Sequence, residues 1–177
     1  MKITAVILSG LALIWTANAA LAEPAKIQTP SPVIYLADNL DEQDKLGWCI
    51  DTQGRGFSER LHAHSCKPFG GDVQFKYDAG DKQIQSVAFD GKCAEPLSAP
   101  KAGVKLGLLD CKSGSAAQQF SFDSAKGEFR PGQSTSLCLV VGAGSRSAGP
   151  YMSRDLALAA CSATDGKFKR WVIRPGT

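Results

Sequence analysis

The sequence predicts an all-β domain made of three similar units. Three observations predict it. The six cysteines, at 49, 66, 93, 111, 138 and 161, fall into three couples. First members are 44 and 45 residues apart and second members 45 and 50, a period near 45. Aromatic residues keep the same phase: Phe75, Phe120 and Trp171 stand nine, nine and ten residues beyond the second cysteine of each couple. Finally, the apolar stretches are short, often alternate, and are broken by "GRG", "DAG", "SGS", "PG" and "GAGS". That pattern fits strands and turns better than helices.

The elements follow in order. The 177-residue chain opens with Lys2, the apolar run "ITAVILSGLALIW" and "ALA" at 20–22. A short basic start, an apolar run too short to span a bilayer and a small-x-small site make residues 1–22 a signal peptide cut after Ala22, with "ANA" at 17–19 the alternative. Residues 23–33, "EPAKIQTPSPV", are rich in proline and read as a tether. The folded domain is expected over 34–177. In each unit one short stretch carries the first cysteine: "LGWCID", "DGKCAE" and "TSLCLV". A second strand leads into the second cysteine: "RLHAHSC", "VKLGLLDC" and "LALAAC". The aromatic opens a third, and in the first two units a glycine-containing turn leads to a fourth. Such units bury their apolar faces by closing around a shared axis, which also removes exposed sheet edges.

Charge narrows the function. The formal net charge is +3, and no run of Lys/Arg stands out. The basic stripe of a nucleic-acid binder is missing. "KFKRW" at 167–171 is the densest basic spot and reads as a solvated strand face. No later segment is long and apolar enough to span a membrane. An exported chain, secreted or periplasmic, should hold its six cysteines as disulfides, and six cysteines allow fifteen pairings.

With these features the chain resembles the ricin-type β-trefoil lectin domains. "QQF" at 118–120 matches the family's Gln-x-aromatic motif fully; "VQF" at 73–75 and "KRW" at 169–171 keep only the aromatic. The resemblance covers about residues 33–176. It implies a β-trefoil of three roughly 45-residue repeats with pseudo-threefold symmetry and one disulfide inside each: Cys49–Cys66, Cys93–Cys111 and Cys138–Cys161. Each closes a loop of roughly 20 residues, worth about 3 kcal/mol on the loop-entropy picture.

The resemblance also implies up to three sugar pockets. Each needs an Asp two residues after the first cysteine and an aromatic two before the second, with a polar residue two before that. A polar pair precedes the core aromatic. The carboxylate accepts from adjacent sugar hydroxyls, the ring stacks on the pyranose C–H face, and the polar pair fixes orientation. In the first repeat Asp51 takes the carboxylate position, His62 the polar place and His64 the aromatic place. Asp72 and Val73 hold the polar pair, with Gln53 or Arg55 on the adjoining loop. Trp48 reads as packing on the disulfide. The second repeat has Glu95, one methylene longer than Asp, with Gly107, Leu109, Ala117 and Gln118. The third has Val140, Ala157, Ala159, Phe168 and Lys169, and five extra residues that read as a longer loop around "GAGSRSAGPYMSRD". That leaves one family-like pocket: Asp51, His62, His64 and Asp72.

The expected function is carbohydrate binding without catalysis, cofactor or metal. Two alternatives stand beside it. One is a protein-interaction or inhibitor trefoil that has lost sugar binding. The other is a metal site on the His62-x-His64 strand. Bland readings compete as well: Asp51 as a turn cap and the histidines as half-buried strand residues.

Overall fold

A computed structural model of the protein describes residues 24–40 and 42–176; the signal-peptide reading lies outside them. Twelve strands are present, and no α-helix occurs among the described residues. They are β1 (Val33–Leu36), β2 (Trp48–Thr52), β3 (Leu61–Ser65), β4 (Phe75–Asp78), β5 (Gln83–Ser86) and β6 (Lys92–Pro96). Then come β7 (Leu106–Asp110), β8 (Phe120–Asp123), β9 (Glu128–Pro131), β10 (Leu137–Ala148), β11 (Tyr151–Ala160) and β12 (Trp171–Arg174). The all-β expectation holds. One sheet has the order β10-β11-β3-β2-β1-β12, a second β4-β5-β6-β7, and β8 pairs with β9. In the large sheet β1 and β12 join the two ends of the chain, from Val33↔Arg174 to Leu36↔Trp171.

Alternation explains the core. Neighbouring strand residues face opposite ways. Trp48 and Ile50 on β2 therefore enter the central core, while Cys49 and Asp51 face away from it. The phased aromatics Phe75, Phe120 and Trp171 are all buried in that core. The indole N–H of Trp171 donates to the Leu139 carbonyl at 2.9 Å, which satisfies its one polar atom. Trp48 does pack, though not on the disulfide: strand alternation turns it to the other face, where the Arg154 guanidinium covers its ring at 4.6 Å. The three disulfides are Cys49–Cys66, Cys93–Cys111 and Cys138–Cys161, and no cysteine is free.

Two segments differ from expectation. The proline-rich lead-in is laid on the domain rather than strung out as a tether. Thr29 is fully buried and its hydroxyl donates to the Lys67 carbonyl, while Lys26 N–H bonds the Lys45 carbonyl. Gly47, at φ +79°, makes this fit possible. A Cβ there would stand 2.5 Å from Ala25 Cβ and 2.6 Å from Ile27 Cδ1. Second, the extra residues before Cys161 do not form a free loop. They lengthen β10 and β11 into a hairpin that turns at Gly149–Pro150, with Gly149 at φ +67°. Ser153 and Arg154 of β11 then pair with His64 and Ala63 of β3. The insertion thus lies against the strand that carries both histidines.

Candidate functional site

Strand pairing brings the predicted residues together. On the β2–β3 ladder Asp51 stands opposite His62 and Cys49 opposite His64, so all four share the face turned away from the core. Asp51 is 1% exposed. Its Oδ2 lies 3.9 Å from His62 Nε2 and 3.7 Å from His64 Nδ1. Asp72 joins from the 3-10 turn Gly71–Val73 through a residue that sequence reasoning missed. Lys67, directly after Cys66, places its Nζ 2.9 Å from Asp51 Oδ2 and 2.5 Å from Asp72 Oδ1. One ammonium bridges two carboxylates.

The site departs from an open sugar hollow in two respects. Lys67 occupies the position from which a ligand hydroxyl would meet Asp51. His64, expected as a stacking ring, is buried at 5% exposure, and Tyr151 from the inserted hairpin meets it edge-on at 5.5 Å. Strand β3 runs in the interior of the sheet, between β2 and β11, and that position buries the imidazole. The exposed ring nearby in sequence is Phe69, 93% exposed on the loop between Lys67 and Asp72. Val73, at the expected amide position, is fully buried against Cys49 and Cys66 and serves that disulfide instead. Gln53 and Arg55 are exposed on the adjoining loop.

The network is well supplied with charge but short of hydrogen bonds. Neither carboxylate oxygen of Asp51 has a hydrogen-bond partner, nor does His62 Nε2. Lys67 meets Oδ2 as an ion pair at 2.9 Å, and the imidazole distances are too long for hydrogen bonds. A buried acceptor left without a donor costs about 1–3 kcal/mol. Burial alone would raise the Asp51 pKa, but His62, Lys67 and His64 outweigh it and hold the carboxyl below its ordinary value. Burial would lower Lys67, yet Asp72 and Asp51 hold its ammonium above the ordinary lysine value. For His64 burial wins over the Ser65 carbonyl and Asp51, and its pKa is lowered.

These directions set the pH dependence of stability. The folded His64 resists a proton that the unfolded imidazole takes near pH 6.5, so the unfolded state binds more protons below that pH. Stability is full above 6.5 and falls as pH drops through it. Asp51 adds a second loss of the same sign below its unfolded value of 3.8. Urea unfolding at about pH 7.5 and about pH 5.5 should show the lower free energy in acid, and His64→Gln should flatten that difference.

The positions that the resemblance pairs with these elsewhere in the chain carry different chemistry. Glu95 accepts from Gln118 Nε2 at 3.0 Å, and the same amide also bonds the Asp110 carbonyl and the Lys112 N–H. Fully buried Gln118 ties its loop together. Val140 and Ala159 pack on the Cys138–Cys161 disulfide. Lys169, read from sequence as solvated, is drawn in by Glu128 at 3.0 Å and is 14% exposed. Around His62 and His64, a divalent cation would have to displace Lys67. The acidic-and-sulfur group Glu128, Cys138 and Cys161 has its sulfurs joined in a disulfide and unavailable as thiolates.

Comparison with known proteins places the fold. Residues 83–177 match the ricin-type beta-trefoil lectin domain family. No curated protein matches the chain. Among solved structures, the cytolethal distending toxin of Actinobacillus actinomycetemcomitans is similar, with TM-score 0.52 and 18% identity over 83% of this chain and 93% of that one. The Haemophilus ducreyi cytolethal distending toxin is similar at TM-score 0.46 and 19% identity, over 83% of this chain and 85% of that one. The family match spans more than half of the sequence, and the disulfide pairing and buried aromatics agree with it. The chain belongs to the ricin-type β-trefoil lectin domain family.

Proposed function

We propose that the protein is an exported carbohydrate-binding module, secreted or periplasmic, whose glycan site lies in the first of three roughly 45-residue repeats. The observation that carries this reading is the buried carboxylate of Asp51, which has Lys67 as its ion-pair partner but no hydrogen bond to either oxygen. A buried carboxylate held by one ion pair leaves acceptor capacity unused, which is costly to keep. It sits at the position where the family resemblance puts the acceptor for sugar hydroxyls, in the repeat that also holds His62, His64 and Asp72. Hydroxyl donors from a glycan supply what the carboxylate lacks. Lys67, 20% exposed and already 2.5 Å from Asp72, keeps that partner as the ligand takes its place at Asp51. With His64 covered, Phe69 becomes the ring on which a pyranose stacks. Export fits a leader-like residues 1–22 and the pairing of all six cysteines.

We read the protein as a binder and not a catalyst. Both histidines face Asp51, and neither bonds a serine hydroxyl among the described residues, so a serine nucleophile has no base. A second reading, a trefoil that now contacts protein, is favoured by the 1% exposure of Asp51. A glycan array followed by calorimetry separates the two. Wild type is expected to retain at least one neutral glycan. Asp51→Asn and Phe69→Ala should each weaken it about tenfold or more, with Phe69→Ala leaving unfolding unchanged. A correctly folded, oxidised protein that retains no glycan supports the protein-contact reading.

A further inference from the structure

A cleft of about 180 Å³ opens where the start of β3, the start of β7 and the middle of β11 meet. The three segments are stitched together there. Arg60 bridges Gly107, Lys105 bridges Ala157, and the Leu108 N–H donates to the Glu59 carbonyl at 3.1 Å. Gly107 permits the close approach: a Cβ there would stand 2.5 Å from Leu97 Cδ2 and 3.0 Å from Glu59 O. Leu97, 47% exposed, forms an apolar floor together with buried Leu61, Leu106 and Leu156. Arg60, Lys105 and Arg146 are set around it with a single acid, Asp155. Asp155 holds Lys105 at 2.5 Å and Arg146 at 3.1 Å, which orients both. Three cations against one carboxylate leave a surplus of two positive charges. The Arg60 guanidinium has no partner among the described residues. His62, 8% exposed, is a wall of this cleft as well as a neighbour of Asp51.

We propose that this cleft binds an anionic sugar ring, a carboxylate- or sulfate-bearing pyranose. The anion pairs with Arg60 and Arg146 and with Lys105, arginine offering a bidentate fork to either group. The C–H face of the ring rests on the leucine floor, and Gln53 and His62 meet hydroxyls. A bare inorganic anion would use the cations and leave the floor empty. A neutral sugar would leave the surplus charge unused. The volume is below the range of about 300–1,000 Å³ that takes drug-sized ligands, which fits a single ring. The cations are partly exposed, so affinity must fall with added salt.

The chain contains only two histidines, which makes the test direct. The full oxidised protein is titrated with glucuronate, glucose 6-sulfate, glucose and inorganic sulfate, and binding is read by calorimetry and by imidazole NMR signals. Glucuronate, glucose 6-sulfate or both should bind, moving the His62 signals and not those of His64. Which of them binds separates carboxylate from sulfate recognition. Arg60→Gln should weaken binding about tenfold or more. The proposal is overturned if glucose binds as well as its acidic counterparts, if sulfate alone matches glucose 6-sulfate, if Arg60→Gln changes nothing, or if none binds. A neutral glycan at Asp51 moves both histidines, so the two sites succeed or fail separately.

Discussion

Lys67→Met is expected to lower the unfolding free energy by about 3–5 kcal/mol, the cost of leaving a buried carboxylate without its counter-charge. Asp51 is 1% exposed and its oxygens already lack hydrogen bonds, so loss of the ammonium leaves it with two imidazoles at 3.7 and 3.9 Å. His64 resists protonation and cannot easily take over as a cation. The loss should shrink in the Asp51→Asn background, where only the more exposed Asp72 carboxylate remains to be stranded. Denaturant unfolding of the four proteins in this cycle measures the coupling directly. Equal losses in both backgrounds would mean that Lys67 acts through its stem and Asp72 and not through Asp51. In the Lys67→Met protein the added glycan should also stabilise more than in wild type, because the ligand no longer competes with an ammonium.

Trp171→Ala should cost about 3–5 kcal/mol, the range for emptying a large aromatic site in a core. The indole is 2% exposed, lies opposite Leu36 in the β1–β12 ladder and donates to the Leu139 carbonyl. Its loss therefore opens a cavity at the strand pair that joins the two chain ends. Trp171→Phe keeps most of the volume and removes the donor, so a smaller loss is expected, about 1–3 kcal/mol for an orphaned buried carbonyl. Phe69→Ala, at 93% exposure, is the stability control. A Trp171→Ala protein as stable as wild type would remove this residue from the core.

The two variants also mark where sequence sufficed and where it did not. Trp171 was legible because its distance from Cys161 echoes that of Phe120 from Cys111 and Phe75 from Cys66. Covalent links and large core side chains repeat with the chain, and repetition leaves a period. Asp51, His62 and His64 were legible for the same reason: offsets from Cys49 and Cys66 place them on one strand face, and the β2–β3 register agrees. Lys67 was not. A lysine side chain has four rotatable bonds, and its position beside Cys66 does not say that it turns inward between Asp51 and Asp72. Tyr151 was hidden by a different cause. It reaches His64 through pairing of β11 with β3, a contact between distant parts of the chain that strand periodicity does not encode. The lead-in failed on composition: prolines suggested an extended tether, yet Thr29 and Ile27 find partners on the domain.

The central claim is that a glycan reaches the Asp51 cluster and replaces what Lys67 now provides. The two histidines report on it most directly, since His64 lies within 3.7 Å and His62 within 3.9 Å of the Asp51 carboxylate. Imidazole NMR signals followed during titration with a neutral glycan retained on the array should shift for both residues, saturate together, and stay still in Asp51→Asn. A glycan that binds the folded protein while both imidazoles remain unmoved would contradict the account and place the sugar elsewhere on the domain.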